Sequence, residues 1–221
     1  MPTQDISLDQ VNLHANKADL FANLLRVVLS KEAVRVLDVG CSDGRDYFFQ
    51  LVESGLDVFG FERDKIKAGQ CKDKVALKPH VSIQIGEAER LPYSDEVFDL
   101  SVCNDMIYMC NKHEVFSEIF RVLKPGGVLL CLWNQRITCY FYSMVFPGQG
   151  RTLPYEWARS AYIIANTLFY RVTGKRFSLA TYNTIRELRN VSQGTGFQCE
   201  KAWIYTGMKP NRICLILRKS N

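Results

Sequence analysis

Apolar positions along the chain follow two alternating rhythms. Short aliphatic runs, VRVLDV from Val34, DVFGF from Asp57, VSIQI from Val81, FDLSVC from Phe98 and GVLLCLW from Gly127, are separated by stretches with apolar residues every three or four positions. The runs predict buried strands, and the intervening stretches predict helices over about Arg45 to Glu53, from about Asp64, and over about Lys112 to Leu123. Upstream, Val11, Ala15, Ala18, Leu25 and Val28 share helical spacing behind the capping-box pair Ser7 and Gln10, which predicts one amphipathic helix ending near Ser30. Parallel strands need crossover helices, so the front of the chain is expected to be a doubly wound α/β domain whose sheet is buried on both faces.

The rhythm stops after Trp133. Between Ile137 and Tyr182 lie 11 of the chain's 26 aromatic residues. Trp157, Ala161, Ile164, Ala165, Leu168 and Val172 align on one face of a predicted helix, with Pro154 suited to its first turn. The segment over about 137–180 is expected to be a helical cap inserted into a single domain spanning 1–221. A helix over about Tyr182 to Gln193 and two strands, FQCEKAWIY and RICLILR, follow. Their connector, GMKPNR, is too short for a crossover, so these strands should pair antiparallel and complete a mostly parallel, seven-stranded sheet.

Composition narrows the setting. The 221 residues allow one substantial core with an insertion. The amino terminus lacks the basic start and apolar stretch of a secretory signal, and no run is apolar for the length of a membrane span, so a cytoplasmic location is expected. Eight singly spaced cysteines lack the paired spacing of a zinc site; reduced thiols packed among apolar residues, and no bound metal, are expected. Charge is asymmetric: 15 basic and 20 acidic residues through Gln135, 13 basic and 3 acidic after it. The basic half is either a solvated face or a surface for an acidic substrate or partner.

The most informative chemistry lies where VRVLDV runs into Gly40, Cys41, Ser42, Asp43 and Gly44. A glycine-bearing turn at the carboxyl end of the first strand of a parallel sheet lies where such sheets bind ligands. About 20 positions onward, at the end of the second strand, Glu62 is placed to accept hydrogen bonds from two ribose hydroxyls. The third glycine that would seat a pyrophosphate is missing, and Asp38 and Asp43 should repel a diphosphate. An adenosyl ligand carrying a cationic amino acid fits better than a dinucleotide.

LDVGCSDGRD, Glu62, GEAERLPYSDEVFDL from Gly86 to Leu100, and RVLKPGG from Arg121 to Gly127 together resemble the class I S-adenosylmethionine-dependent methyltransferases that modify small molecules. The likeness covers about Val34 to Trp133. It implies S-adenosyl-L-methionine as cofactor, with Asp38 facing its ammonium group and Gly40, Cys41, Ser42 and Gly44 holding the methionine end. It also implies Glu62 and the adjoining Arg63 beside the ribose, Glu87 and Ala88 at the adenine, and Asn104 along the methionine side. Ser42 stands where the family usually has glycine, and Glu87 where it often has aspartate.

Methyl transfer from a sulfonium needs chiefly in-line alignment and exclusion of water, with a general base only where the acceptor must lose a proton. His14 on the first helix and Tyr108 after the fourth strand are the candidate catalytic residues, while His80 and His113 are expected to face solvent. Arg136, Arg151, Arg159, Arg171, Lys175 and Arg176, mixed with aromatics, suit an acidic or amphiphilic small-molecule acceptor such as a sugar, lipid-linked or nucleotide-linked metabolite. A cap whose aromatics simply fill its own core is the plainer reading. An RNA methyltransferase, a peripheral membrane enzyme and a non-catalytic S-adenosylmethionine-binding protein stay open as alternatives.

Overall fold

A computed structural model describes residues 7–29, 35–44, 47–175 and 177–220. Val34, Arg45 and Asp46 of the turn motif, together with Ser30 and Arg176, lie outside the described residues. The elements in order are α1 (Lys17–Val28), β1 (Arg35–Val39), α2 (Tyr47–Glu53), β2 (Asp57–Glu62), α3 (Lys65–Lys74), β3 (Val81–Ile85), β4 (Phe98–Asn104) and α4 (Lys112–Val122). They continue with β5 (Leu123–Asn134), α5 (Ile137–Val145), α6 (Leu153–Thr173), α7 (Ile185–Gly194), β6 (Phe197–Tyr205) and β7 (Arg212–Lys219).

The seven strands form one sheet in the order β3-β2-β1-β4-β5-β7-β6. β1 to β5 pair in parallel, and β7 inserts antiparallel between β5 and β6, as the short connector requires. Alternate strand residues feed two cores. Val36, Leu100 and Leu130 pack with α1, α2 and α3 on one face, and Leu37, Leu129 and Leu215 with α4 and α7 on the other.

The amino-terminal helix differs from its expectation. Gln10 Oε1 accepts from the Ser7 amide at 2.9 Å, but this pair closes only a three-residue turn. Asn12 then accepts from the His14 amide, and Asn16 caps α1 by accepting from the Asp19 amide at 3.0 Å. Two asparagine side chains thus offer the backbone local hydrogen bonds that compete with continuous helix. The expected helix over about Tyr182 to Gln193 also begins later, at Ile185, capped by Thr184.

The α5–α6 segment overturns the expectation that its aromatics fill a core of its own. Its apolar core is small, built on Tyr140, Ile163 and Tyr182. Pro154 lies in the first turn of α6 as expected, but Trp157, Ala161, Ala165, Leu168 and Val172 point outward. The helix instead buries Glu156, Ser160, Asn166 and Thr167. Specific partners permit this. Glu156 lies between Arg151 and Arg159, Asn166 bonds the backbone of residues 177, 178 and 180, and Thr167 accepts from the Tyr182 amide. A buried carboxylate is tolerated only when paired in this way.

The chain returning from α6 is tied to the ends of the sheet. The Thr181 amide donates to the Tyr108 carbonyl at 2.8 Å and the Asn183 amide to the Gln135 carbonyl at 2.9 Å. The buried Lys112 ammonium donates to Thr181 Oγ1 at 2.6 Å and pairs with Glu187 at 2.9 Å. Through these bonds the segment is held beside the loops that follow β4 and β5.

Candidate functional site

Two cavities open at the carboxyl ends of β1, β2 and β4, where the strand order reverses. The larger, of about 620 Å³, is lined by Gly40, Ser42, Glu62, Arg63, Glu87, Ala88, Asn104 and Tyr108 among others. The smaller, of about 240 Å³, takes in Asp38, Cys41, Lys17, Trp133 and Arg212. Gly40, Ser42, Asn104 and Asp105 border both, so the two cavities adjoin as parts of one crevice.

Glu62, the last residue of β2, is the organising side chain of this crevice. Its Oε2 accepts from the Ser42 amide at 2.9 Å and its Oε1 from the Asp64 amide at 2.8 Å. The carboxylate therefore braces the β1 turn against the β2 loop, and each oxygen keeps a further lone pair for a ligand hydroxyl. Across the mouth of the larger cavity, Arg63 pairs loosely with Glu87 at 3.8 Å.

Asp38 is the most unusual group. It is buried, its Oδ1 has no hydrogen-bond partner among the described residues, and burial together with the nearby charge of Glu62 pushes its carboxyl up to about 7. An unpartnered buried carboxylate oxygen is costly unless a ligand cation meets it. Asn104 Oδ1 is likewise buried and unpartnered among the described residues. Both fit a ligand that carries an ammonium group, and the diol-ready Glu62 fits its ribose. The residues present therefore suit S-adenosylmethionine.

The other candidate residues separate by position. Gly44 borders neither cavity and serves the turn: its φ is +72°, and a Cβ there would come within 2.9 Å of Cys71 Sγ. Asp43, expected to repel phosphate, pairs with Lys74 at 3.1 Å, which partly offsets its charge, and it lines neither cavity. Tyr108 borders the larger cavity, and burial raises its hydroxyl pKa. His14 borders neither cavity and shares a 2.8 Å hydrogen bond with Thr206. His113 is exposed as expected, whereas His80 is half-buried, its Nε2 lying 3.0 Å from the Val52 carbonyl at the end of α2. All eight cysteines are free thiols, seven buried and Cys199 half-buried.

Sequence reasoning passed over Asp105, Lys17 and Arg212. Asp105 borders both cavities and accepts from Gln135 at 3.3 Å; its surface is exposed at the crevice, yet the protein packed around it desolvates the carboxyl enough to raise it to about 6, against the opposing pull of Arg212. Lys17 lies over the rings of Tyr47 and Trp133, which stack 4.2 Å apart. Asp105 adjoins the noted Asn104 and was legible by its place after β4. Lys17 and Arg212 arrive from the two ends of the chain and carry no local signal.

Strain converges here too. Of the four described non-glycine residues with positive φ, Ser42 (+54°), Asp105 (+47°) and Trp133 (+50°) border the smaller cavity. Left-handed backbone costs a residue with a Cβ about 1–2 kcal/mol, and such strain gathers at functional sites.

Residues 37–131 match the family model described as "Methyltransferase domain". The chain is 34% identical to the methyltransferase GfsG of Streptomyces halstedii over 99 residues, which is 43% of this chain and only 36% of that protein. It is 25% identical to a demethylmenaquinone methyltransferase of Shouchella clausii over 191 residues, covering 79% of this chain and 78% of the relative. A solved SAM-dependent methyltransferase of Methanosarcina mazei shares the fold, with a TM-score of 0.61, 18% identity, and coverage of 86% of this chain and 94% of its own. Residues 37–131 thus match a methyltransferase domain, and the strand order and the solved neighbour give the chain the fold of class I S-adenosylmethionine-dependent methyltransferases.

Two outcomes are expected. Ser42→Gly relieves the left-handed residue and should stabilise the protein by about 0.5–1 kcal/mol in denaturant unfolding, after allowance for the extra freedom of glycine in the unfolded chain. Asp38 is protonated in the folded apoprotein and ionised in the unfolded chain between the usual 3.8 and about 7, so its stabilising contribution is full at low pH and is lost across that window. A cationic ligand binds the ionised form. Affinity for S-adenosylmethionine should therefore rise as pH rises toward about 7, with proton release measurable by calorimetry in buffers of different ionisation enthalpy, and Asp38→Asn should abolish that release.

Proposed function

We propose that this chain moves the methyl group of S-adenosylmethionine to a small-molecule acceptor that is acidic or amphiphilic, working as one domain with the α5–α6 segment as its cap. The observation that carries the reading is the unpartnered buried oxygen of Asp38 at one end of a crevice whose other part contains Glu62. When bound, the cofactor supplies an electrophilic methyl group on a sulfonium, a good leaving group. Asp38 would hold the ammonium, Lys17 and Arg212 the carboxylate, and Asn104 the methionine side. Glu62 would receive the ribose hydroxyls, with Arg63 beside it, and Glu87 and Ala88 would meet the adenine.

The acceptor's place follows from the groups that remain. Tyr108, Met106 and Met109 border the larger cavity beyond the cofactor-binding set. Arg159 and Arg151 act on the Tyr108 hydroxyl electrostatically, favouring an acidic acceptor. Asp105 is ionised at neutral pH and can take a proton from an acceptor hydroxyl; Tyr108 would orient that acceptor. The Shouchella clausii relative is named for an amphiphilic quinone, consistent with this class of acceptor.

Labelled S-adenosylmethionine and purified protein, added to an extract of the native organism, should give a labelled low-molecular-weight product. Cofactor binding without any labelled product would count against the transferase reading. Glu62→Ala should weaken cofactor binding by about 1–3 kcal/mol, since two hydroxyls lose a charged acceptor. Unchanged affinity in a folded variant would remove Glu62 from the ribose.

A further inference from the structure

Helix α6 reverses the usual arrangement of a surface helix. Its inner side carries Glu156, Ser160, Asn166 and Thr167 around a single buried aliphatic, Ile163; its outer side carries Trp157, Ala161, Tyr162, Ala165, Leu168 and Val172. Trp157, Leu168 and Val172 expose 57%, 51% and 86% of their surface. The three charged residues of the helix are all engaged in ion pairs, Arg159 with Glu156 and Arg171 with Glu187. The outer arc named above holds none of them. Because Asn166 and Thr167 are bonded to the returning chain, the helix cannot roll its apolar side inward without breaking those bonds. The result is a rigid apolar strip on a helix about 30 Å long, of the kind that marks a docking surface.

Charge selects the occupant. Residues 136–180 hold six basic side chains and one acidic one; Arg151, Arg159 and Arg171 share only Glu156 and Glu187, so the region stays net positive after its ion pairs are counted. A second copy seated by two-fold symmetry would set this positive region against itself. An anionic bilayer surface satisfies both features, because the apolar residues enter the acyl boundary while basic side chains meet the headgroups. Trp157, Tyr155 and Tyr162, all exposed, are of the residue types that favour the membrane–water interface. Among the described residues no helix is long and apolar enough to cross a membrane. We propose that the outer face of α6 docks the protein on an anionic lipid surface, with the helix lying in the interface. This goes beyond the transferase reading and does not depend on it.

The test uses the full chain and vesicles of phosphatidylcholine, with or without phosphatidylglycerol. Flotation should be roughly tenfold or more stronger with the anionic vesicles and should weaken with salt. Trp157 is the exposed one of three tryptophans, since Trp133 and Trp203 are 2% and 8% exposed, so native fluorescence reports contact. Binding should shift emission to the blue, and lipids brominated along the acyl chain should quench it. Leu168→Glu should abolish flotation while circular dichroism and melting stay unchanged. Trp157→Phe should still float, though less strongly, and lose the spectral shift. The proposal is overturned by absence of flotation, by equal flotation on neutral and anionic vesicles, or by a spectral shift that survives Trp157→Phe. Sedimentation showing a dimer that Leu168→Glu dissociates, with no vesicle binding, would assign the face to a second copy instead.

Discussion

The carboxylate of Glu62 is the point on which the crevice depends. By accepting from Ser42 and Asp64 it joins the turn after β1 to the loop after β2, two segments that the parallel sheet brings side by side. Its charge also helps keep Asp38 protonated in the apoprotein. One side chain thus shapes the backbone of the turn, influences the proton on the group beside it, and retains lone pairs for a ligand. The left-handed conformation of Ser42 is held by that same bond.

Around this brace the crevice is polarised along its length. Its narrow part sets the carboxyl groups of Asp38 and Asp105 and the basic side chains of Lys17 and Arg212 around one cavity, acidic and basic groups of the kind that a zwitterionic amino acid would complement. Its wide part has the Glu62 and Glu87 carboxylates, a sulfur-containing wall of Met106, Met109 and Cys110, and the phenol of Tyr108. The α5–α6 segment is attached through Thr181 and Asn183 to the carbonyls of Tyr108 and Gln135, so its position is tied mechanically to the loops after β4 and β5. The inverted α6 turns its polar side toward the returning chain at residues 177–182 and its apolar side outward.

The fold was legible wherever burial on both faces of the sheet left uninterrupted apolar runs: every strand predicted from such a run is present. The helix boundaries were read less well at the amino terminus, because Asn12 and Asn16 redirect backbone hydrogen bonds that apolar spacing alone does not reveal. The motif residues Gly40, Ser42, Glu62, Arg63, Glu87, Ala88 and Asn104 meet around the larger cavity, with Asp38 and Cys41 on the smaller one, because they lie at strand ends that parallel pairing must gather. The ion pair of Asp43 was not legible, since its partner Lys74 is 31 residues away and no local pattern announces it.

What the sequence by itself determined is the alternation of strands and helices, the antiparallel close and the turn with its acid, all set by local periodicity and short-range spacing. Only the tertiary structure decided which residues from distant segments complete the crevice: Lys17 from the first helix, Asp105 from the fourth strand's loop and Arg212 from the last strand. It also decided which way α6 faces. Apolar periodicity marks a stripe but carries no sign for inward or outward, and here the bonds made by Glu156, Asn166 and Thr167 supplied that sign.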